Sequence, residues 1–187
     1  MFNRKIVKRL IIPAAIWNNV LKFSKFEDYL YSFFLESNIN FFCRCVPYRY
    51  KKQEVNGVET QVIQVLLVSA QKGKGMLFPK GGWETDESME EAALRETIEE
   101  AGVTGELEEK LGKWQYKSKR HSIIHDGYMF ALLVSQEFER WPEAEMRQRR
   151  WVSLDEAREV CQNWWMREAL EAFINLKCLA DDDESGN

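Results

Sequence analysis

Long apolar runs are absent from this chain. No stretch reaches the ~18–20 consecutive apolar residues that cross a bilayer, so no segment reads as a membrane span. Cysteine is sparse, with four residues at 43, 45, 161 and 178. Their spacing matches no common zinc pattern, and no histidine stands near them in sequence. Cys161 and Cys178 fall in the apolar pattern of C-terminal helices, which predicts buried free thiols and a reducing compartment. An overall basic excess is also missing: 26 Lys/Arg face 30 Asp/Glu, for a net charge of −4. That balance argues against general nucleic-acid binding and leaves room for a local basic pocket. Internal repeats and long linkers are absent too. Charge of one sign is missing at each end. Residues 1–26 carry six Lys/Arg and no Asp/Glu, and Asp181-Asp182-Asp183-Glu184 is purely acidic.

The 187 residues suffice for one domain with a proper core plus extensions. Hydrophobic content of 45% and charged content of 30% are ordinary for a globular protein. Three regions are expected: an atypical N-terminal extension over 1–40, a folded domain over 41–178, and an acidic disordered tail over 179–187. The extension has two readings. It either packs its aromatics (Phe33, Phe34, Phe41, Phe42) on the domain, or its basic, acid-free start is an organelle presequence. Within the domain, Cys43–Tyr50 alternates as a strand, and Pro47 suggests an edge or a bulge. Asn56-Gly57 marks a turn. Gln61–Ser69 is a β-branched run that predicts a central strand buried on both faces. Trp114–Lys117, Tyr128–Val134 and Gln148–Val152 read as further strands. Ser153 caps a helix, and a final helix over about Met166–Leu179 carries Leu170, Phe173, Ile174 and Leu176 as its buried stripe.

One stretch carries chemistry. After Gly81-Gly82, Ser88 with Glu91 three residues on forms a capping box, and Gly102 ends the helix that follows. Leu94, Ile98 and Ala101 share one face at i, i+4, i+7. Glu96, Glu99 and Glu100 fall on roughly the opposite face. Carboxylates at that density repel one another unless a cation neutralises them. Oxygen-only ligands suit a hard divalent ion, Mg²⁺ when a phosphate shares its coordination. Taken alone, three glutamates read equally well as a solvated acidic face. The whole spacing is more specific. Gly81, Glu87, Arg95, Glu96, Glu99, Glu100, Gly102 and Val103 stand in register with Gly, five residues, Glu, seven residues, Arg-Glu-(aliphatic)-any-Glu-Glu-any-Gly-(aliphatic). The chain thus resembles the Nudix family over about residues 41–178. Thr97 departs from the pattern, standing where a larger aliphatic is preferred, and looser packing is expected there.

The resemblance implies an α/β/α sandwich with a mixed curved sheet, the box helix on one face and the C-terminal helix on the other. It implies Mg²⁺-dependent hydrolysis of phosphoanhydrides, with Mn²⁺ as the other candidate ion. Carried over position by position, Glu96, Glu99, Glu100 and the Gly81 carbonyl are metal ligands. Glu99 or, preferably, Glu100 takes the proton of the attacking water, and Arg95 orients the carboxylates. Glu87 braces the loop–helix junction, and Gly102 is structural.

Substrate choice lies outside the box. Arg44, Arg49, Lys72, Lys74, Lys80, Lys117, Lys119, Arg120, His121, Arg147, Arg149 and Arg150 are candidate phosphate binders, each individually as compatible with a solvated surface. Lys80, Gly82, Arg49, Lys119, Arg120, His121 and Arg149 make up the expected substrate-binding set, whereas His125 reads as structural or exposed. The run Phe78-Pro79-Lys80-Gly81-Gly82-Trp83-Glu84, with Ser118–His121 and Trp141 to Trp151, is similar to the plant-type diphosphoinositol polyphosphate phosphohydrolases. That similarity implies a polyphosphorylated small-molecule substrate, foremost an inositol pyrophosphate, with no obligate nucleic acid. A nucleotide-directed enzyme is the alternative, with Trp83, Trp114 or Tyr116 stacking a base. A non-catalytic sensor is a remote one. The expected location is cytoplasm or nucleus, with the mitochondrion as alternative.

Overall fold

Alternation along three long strands decides the architecture. The computed structural model describes residues 39–55, 57–71, 75–84, 86–117 and 124–185. These belong to one unit, Ile39–Asn187. Of the predicted extension over 1–40, residues 1–38 lie outside the described residues, as do Lys72, Lys74, Lys119, Arg120 and His121. Along the chain the elements are β1 (Ile39–Val55), β2 (Val58–Ser69), β3 (Met76–Leu77), β4 (Lys80–Gly82), α1 (Met89–Ala101), β5 (Val103–Lys117), β6 (Ile124–Glu137), β7 (Arg149–Ser153), α2 (Leu154–Val160) and α3 (Trp164–Ser185).

The strands form a mixed sheet in the order β3-β2-β1-β6-β5, with β4 added to β1 and β7 to β2. The β1–β6 pair is parallel, running from Ile39↔Ile124 to Tyr48↔Leu133. Side chains of successive strand residues point to opposite faces, and each face collects its own core. Cys43 and Cys45 of β1 join Phe130 and Leu132 of β6 under Ala92 and Ala93 of α1. Val46 and Tyr48, Met129 and Ala131, and Val65 and Leu67 face the other way, onto Ala157, Trp165, Met166, Leu170 and Phe173 of the C-terminal helices. The result is the α/β/α sandwich. β2 is buried on both faces at Val65–Val68, as its β-branched run predicted.

Several expectations need correction. Pro47 is opposite Leu132 of β6 on one side of β1, and on the other side it falls between the β4 and β2 ladders. β4 pairs with β1 only at Phe42–Arg44, and β2 pairs only from Tyr48 onward. Pro47 therefore sits in the gap where no ladder on that side uses its missing N–H. β5 begins at Val103, eleven residues before the predicted Trp114. Its first half is charge-rich and broken by register shifts between Thr104/Gly105, Leu107/Lys110 and Lys110/Gly112, so no clean alternation announces it. In α1 the buried residues are Ala92, Ala93, Thr97, Glu100 and Ala101, while Leu94 and Ile98 are only half-buried. The face is rotated because α1 lies close against Cys43 and Cys45, where small side chains fit. Thr97, expected to loosen the packing, is fully buried, and its hydroxyl donates to the Ala93 carbonyl at 2.7 Å. Cys178 is exposed rather than buried, whereas Cys161 is buried. The α3 backbone remains helical to Ser185, past the predicted onset of a disordered tail at 179. No Gly or Pro interrupts Trp164–Ser185 to end it sooner.

Candidate active site

The site is built where strand β4 meets helix α1. Ser88 starts the helix: its hydroxyl accepts the Glu91 N–H at 3.1 Å, and the Glu91 carboxylate accepts the Ser88 N–H at 2.7 Å. Gly102 closes it in the left-handed region at φ 63°. A Cβ there would lie 2.7 Å from Trp141 and from the Arg149 guanidinium, so glycine is required by backbone and by space.

Arg95 is the hub of the first half. Its Nε and one terminal nitrogen donate to the two oxygens of Glu87 at 2.9 and 2.6 Å. It also donates to the Gly82 carbonyl at 2.9 Å and to Glu96 at 2.6 Å, and lies 3.6 Å from Glu99. The bidentate pair is thus with Glu87, on the loop that precedes the helix. Arg95 holds the Glu87 carboxyl below the usual carboxylate range. Gly81 faces Glu96 directly: a Cβ on Gly81 would fall 1.7 Å from the Glu96 carboxyl carbon. The glycine therefore makes the recess in which Glu96 sits. Burial raises the Glu96 pKa, and the Glu99 and Glu100 charges add to that rise while Arg95 opposes it.

Glu100 is anchored differently. One oxygen accepts the Lys80 backbone N–H at 2.9 Å, and the other pairs with Arg147. It is 5% exposed and Arg147 is 4% exposed. Burial raises its pKa against the opposing effects of Lys80 and Arg147. Glu99 is the exposed member of the three, with 43% of its side chain accessible. The Lys80 side chain has its pKa lowered by burial first, then by the neighbouring Arg44 and Arg147 charges, while Glu100 and Glu96 oppose the fall.

The donor set fits a hard divalent cation. It is oxygen-only, and the Gly81 recess leaves the Glu96 carboxylate room that a side chain would fill. Among the described residues no three carboxylate, histidine or cysteine groups already converge on one point. Glu96 and Glu100 are instead turned toward Arg95 and Arg147.

The matching family model, the NUDIX domain, covers residues 55–173. The chain belongs to the Nudix family. It is 78% identical over 135 residues to Nudix hydrolase 21, chloroplastic, of Arabidopsis thaliana, a match covering 72% of this chain and 66% of that protein. To Nudix hydrolase 18, mitochondrial, of the same plant it is 48% identical over 145 residues, covering 74% and 82%. To the mouse (Mus musculus) diphosphoinositol polyphosphate phosphohydrolase 3-alpha it is 36% identical over 102 residues, covering 53% and 60%. In fold it is similar to the C. elegans Ap4A hydrolase binary complex, with a TM-score of 0.56 at 22% identity over 74% of this chain and 98% of that one. This Nudix domain is a hydrolase acting on phosphoanhydride bonds.

Among the described residues of the expected substrate set, Lys80 and Gly82 stand beside the box carboxylates. Arg49 lies elsewhere. It stacks on Trp151 at 4.2 Å and donates to Gln64 at 2.9 Å. Arg149 holds the end of α1: it donates to the Ala101 and Gly102 carbonyls at 3.0 Å and to Phe138 at 2.8 Å. It also pairs with the Glu137 carboxylate at 3.0 Å. His125 is half-buried with its ring edge-on to Phe42 at 5.0 Å, in keeping with a structural role. Arg44 is buried and stacks on Trp165 at 3.9 Å. Glu143 was not anticipated. It pairs with Arg147 at 2.5 Å in an i,i+4 relation, a spacing present in the sequence yet indistinguishable there from a surface pair.

Proposed function

We propose that this Nudix domain hydrolyses the diphosphate group of inositol pyrophosphates, with Mg²⁺ bound by Glu96, Glu99, Glu100 and the Gly81 carbonyl. The observation that carries the reading is Lys80: a half-buried cation on β4, adjoining the glycine of the box and flanked by the Arg44 and Arg147 charges. A cluster of cations beside the metal glutamates suits a substrate with many phosphates. Lys119, Arg120 and His121 would add to it. The similarity to the mouse diphosphoinositol polyphosphate phosphohydrolase supports the same substrate class.

The ion would neutralise the diphosphate oxygens and make the attacking water more acidic. The residues do the rest. Arg95 and Glu87 keep the glycine loop against the helix, so Glu96 stays in its recess. Glu100 and Glu99 stand ready to take the water proton, and Lys80 with Lys119, Arg120 and His121 would hold the phosphates not being cleaved. The nucleotide alternative needs a free aromatic face. Trp83 packs edge-on to Phe41 at 6.1 Å and Trp114 packs on the α3-side core, which favours a packing role for both, while the Tyr116 side chain lies outside the described residues. The chloroplastic and mitochondrial names of the plant relatives favour an organelle over cytoplasm or nucleus.

Product analysis with an inositol pyrophosphate, a diadenosine polyphosphate and ADP-ribose, each with Mg²⁺, with Mn²⁺ and with chelator, tests the reading. The inositol pyrophosphate is expected to have the highest kcat/KM and chelator to abolish turnover. A higher value for either nucleotide would replace the substrate assignment. The double variant Lys119→Ala/Arg120→Ala is expected to raise KM for the inositol compound on the order of 10- to 100-fold, and much less for ADP-ribose.

A further inference from the structure

The connection between β6 and β7 is fastened onto the last turn of α1. The Glu143 N–H donates to the Glu99 carbonyl at 3.1 Å. Arg149 takes the Ala101 and Gly102 carbonyls. Between these two contacts stands Arg147, buried and held from three sides. Its Nε binds Glu143, one terminal nitrogen donates to the Ser69 carbonyl at 2.9 Å, and the other pairs with Glu100. Ser69 is itself tied to the same segment, because its N–H donates to the Gln148 carbonyl at 2.8 Å and its hydroxyl accepts the Gln148 N–H at 3.0 Å.

We infer that Arg147 is a positioning residue that sets the orientation of the Glu100 carboxylate. The inference rests on the proposed catalytic role of Glu100. A glutamate side chain has three rotatable bonds, and its last torsion is broad. A single backbone donor from Lys80 fixes one oxygen and leaves the carboxylate plane free to turn. A second donor on the other oxygen removes that freedom, provided the donor cannot follow. Arg147 cannot follow, because Glu143 and Ser69 pin the rest of its guanidinium fork. A carboxylate oxygen accepts more than one hydrogen bond, so each Glu100 oxygen keeps a free direction toward an ion or a water. The arginine thus reaches the reaction through Glu100, from an element that the eight box residues do not include.

The test is a double-mutant cycle on the full chain, with Arg147→Ala and Glu100→Gln alone and together. Rate is read on whichever phosphoanhydride substrate the wild type cleaves, and thermal unfolding is read in parallel. Arg147→Ala is expected to lower kcat about 10- to 100-fold, as loss of a group supporting a ligand does, with KM within about threefold. In the Glu100→Gln background it is expected to lower kcat no further, because its effect passes through Glu100. The fall in Tm caused by Arg147→Ala is expected to be smaller in that background. Arg147→Lys, which keeps the charge without the three-way fork, is expected to lie between the wild type and alanine in kcat, and it replaces alanine in the cycle if the alanine variant does not fold. A rise in KM at unchanged kcat would overturn the inference in favour of direct substrate contact. Additive losses in rate or in Tm would overturn it as well. A wild type that cleaves no phosphoanhydride would remove the proposed function, while the Tm cycle would still decide whether Arg147 and Glu100 act as a pair.

Discussion

At the scale of single residues, the box glutamates owe their properties to different partners. Glu96 is recessed against a glycine, Glu99 is half open to solvent, and Glu100 is buried between a backbone N–H and an arginine. Sequence placed Glu100 on the metal-facing side, opposite Leu94 and Ile98, from which Glu100→Gln would leave the fold intact. The burial changes that expectation. Glu100→Gln is expected to reduce kcat ~10²–10⁴-fold and to lower stability as well, by up to about 3 kcal/mol, since it removes one of the two carboxylates paired with the buried Arg147. Steady-state kinetics with chemical denaturation on the same preparation checks both. Unchanged stability would mean that the pair contributes nothing. Glu87 supplies a pH test. Arg95 depresses its folded pKa, so its stabilising contribution is present above the unfolded value near 4.5 and is lost as pH falls through the folded value. Tm of the wild type should therefore decline on acidification below about pH 5 more steeply than Tm of Glu87→Gln. Parallel curves would assign the acid sensitivity to other carboxylates.

At the scale of elements, the site depends on how closely a helix and a strand approach. Small residues make that approach: Ala92, Ala93 and Thr97 on α1, Cys43 and Cys45 on β1, and Gly81 on β4. Burial keeps the Cys43 and Cys45 thiols protonated, pushing each pKa up to about 12, so they act as packing groups. Gly81→Ala is the sharpest probe. Its Cβ would overlap the Glu96 carboxylate, and a displacement of about 1 Å at a reacting group removes roughly 100-fold in rate. The expected outcome is a folded protein with a circular dichroism spectrum like the wild type and at least that loss in kcat. Retention of more than half the activity would show that Glu96 can move aside and still serve.

At the scale of the whole molecule, the sheet brings together segments far apart in the chain. Strand β4 carries Lys80 and Gly81 and is held on β1 through the pairs Arg44↔Lys80 and Cys43↔Gly81, while Arg147 arrives from the connection between β6 and β7. The described unit starts at Ile39, already paired with Ile124. Deletion of residues 1–38 is therefore expected to leave a soluble domain with kcat within about twofold of the full chain, since Lys80, Gly81, Arg95 and Arg147, which fix Glu100 and Glu96, all lie after that point. Insoluble or inactive protein would show that the removed residues complete the domain. Kinetics and gel filtration on the truncated chain would decide.

What the sequence determined by itself was the chemistry and the elements with strong local signals. The box residues, the Ser88 cap, the Gly102 stop, the two-sided β2 and the C-terminal helices were all legible, because spacing and periodicity are local properties written along the chain. The first half of β5 was not, since its pairing is irregular and its residues are charged, and the place of Pro47 depended on which neighbours β1 has at each point. Only the tertiary structure decided which face of α1 is buried, because that follows from what the helix packs against and not from its own periodicity. It alone separated the candidate arginines into a positioning residue at the helix end (Arg149), a stacked surface group (Arg49) and a buried partner of a box glutamate (Arg147). In sequence all three were candidate phosphate binders, with Arg49 and Arg149 preferred over Arg147. Their roles are set by distance and by burial, and both exist only once strands remote in the chain have been laid side by side.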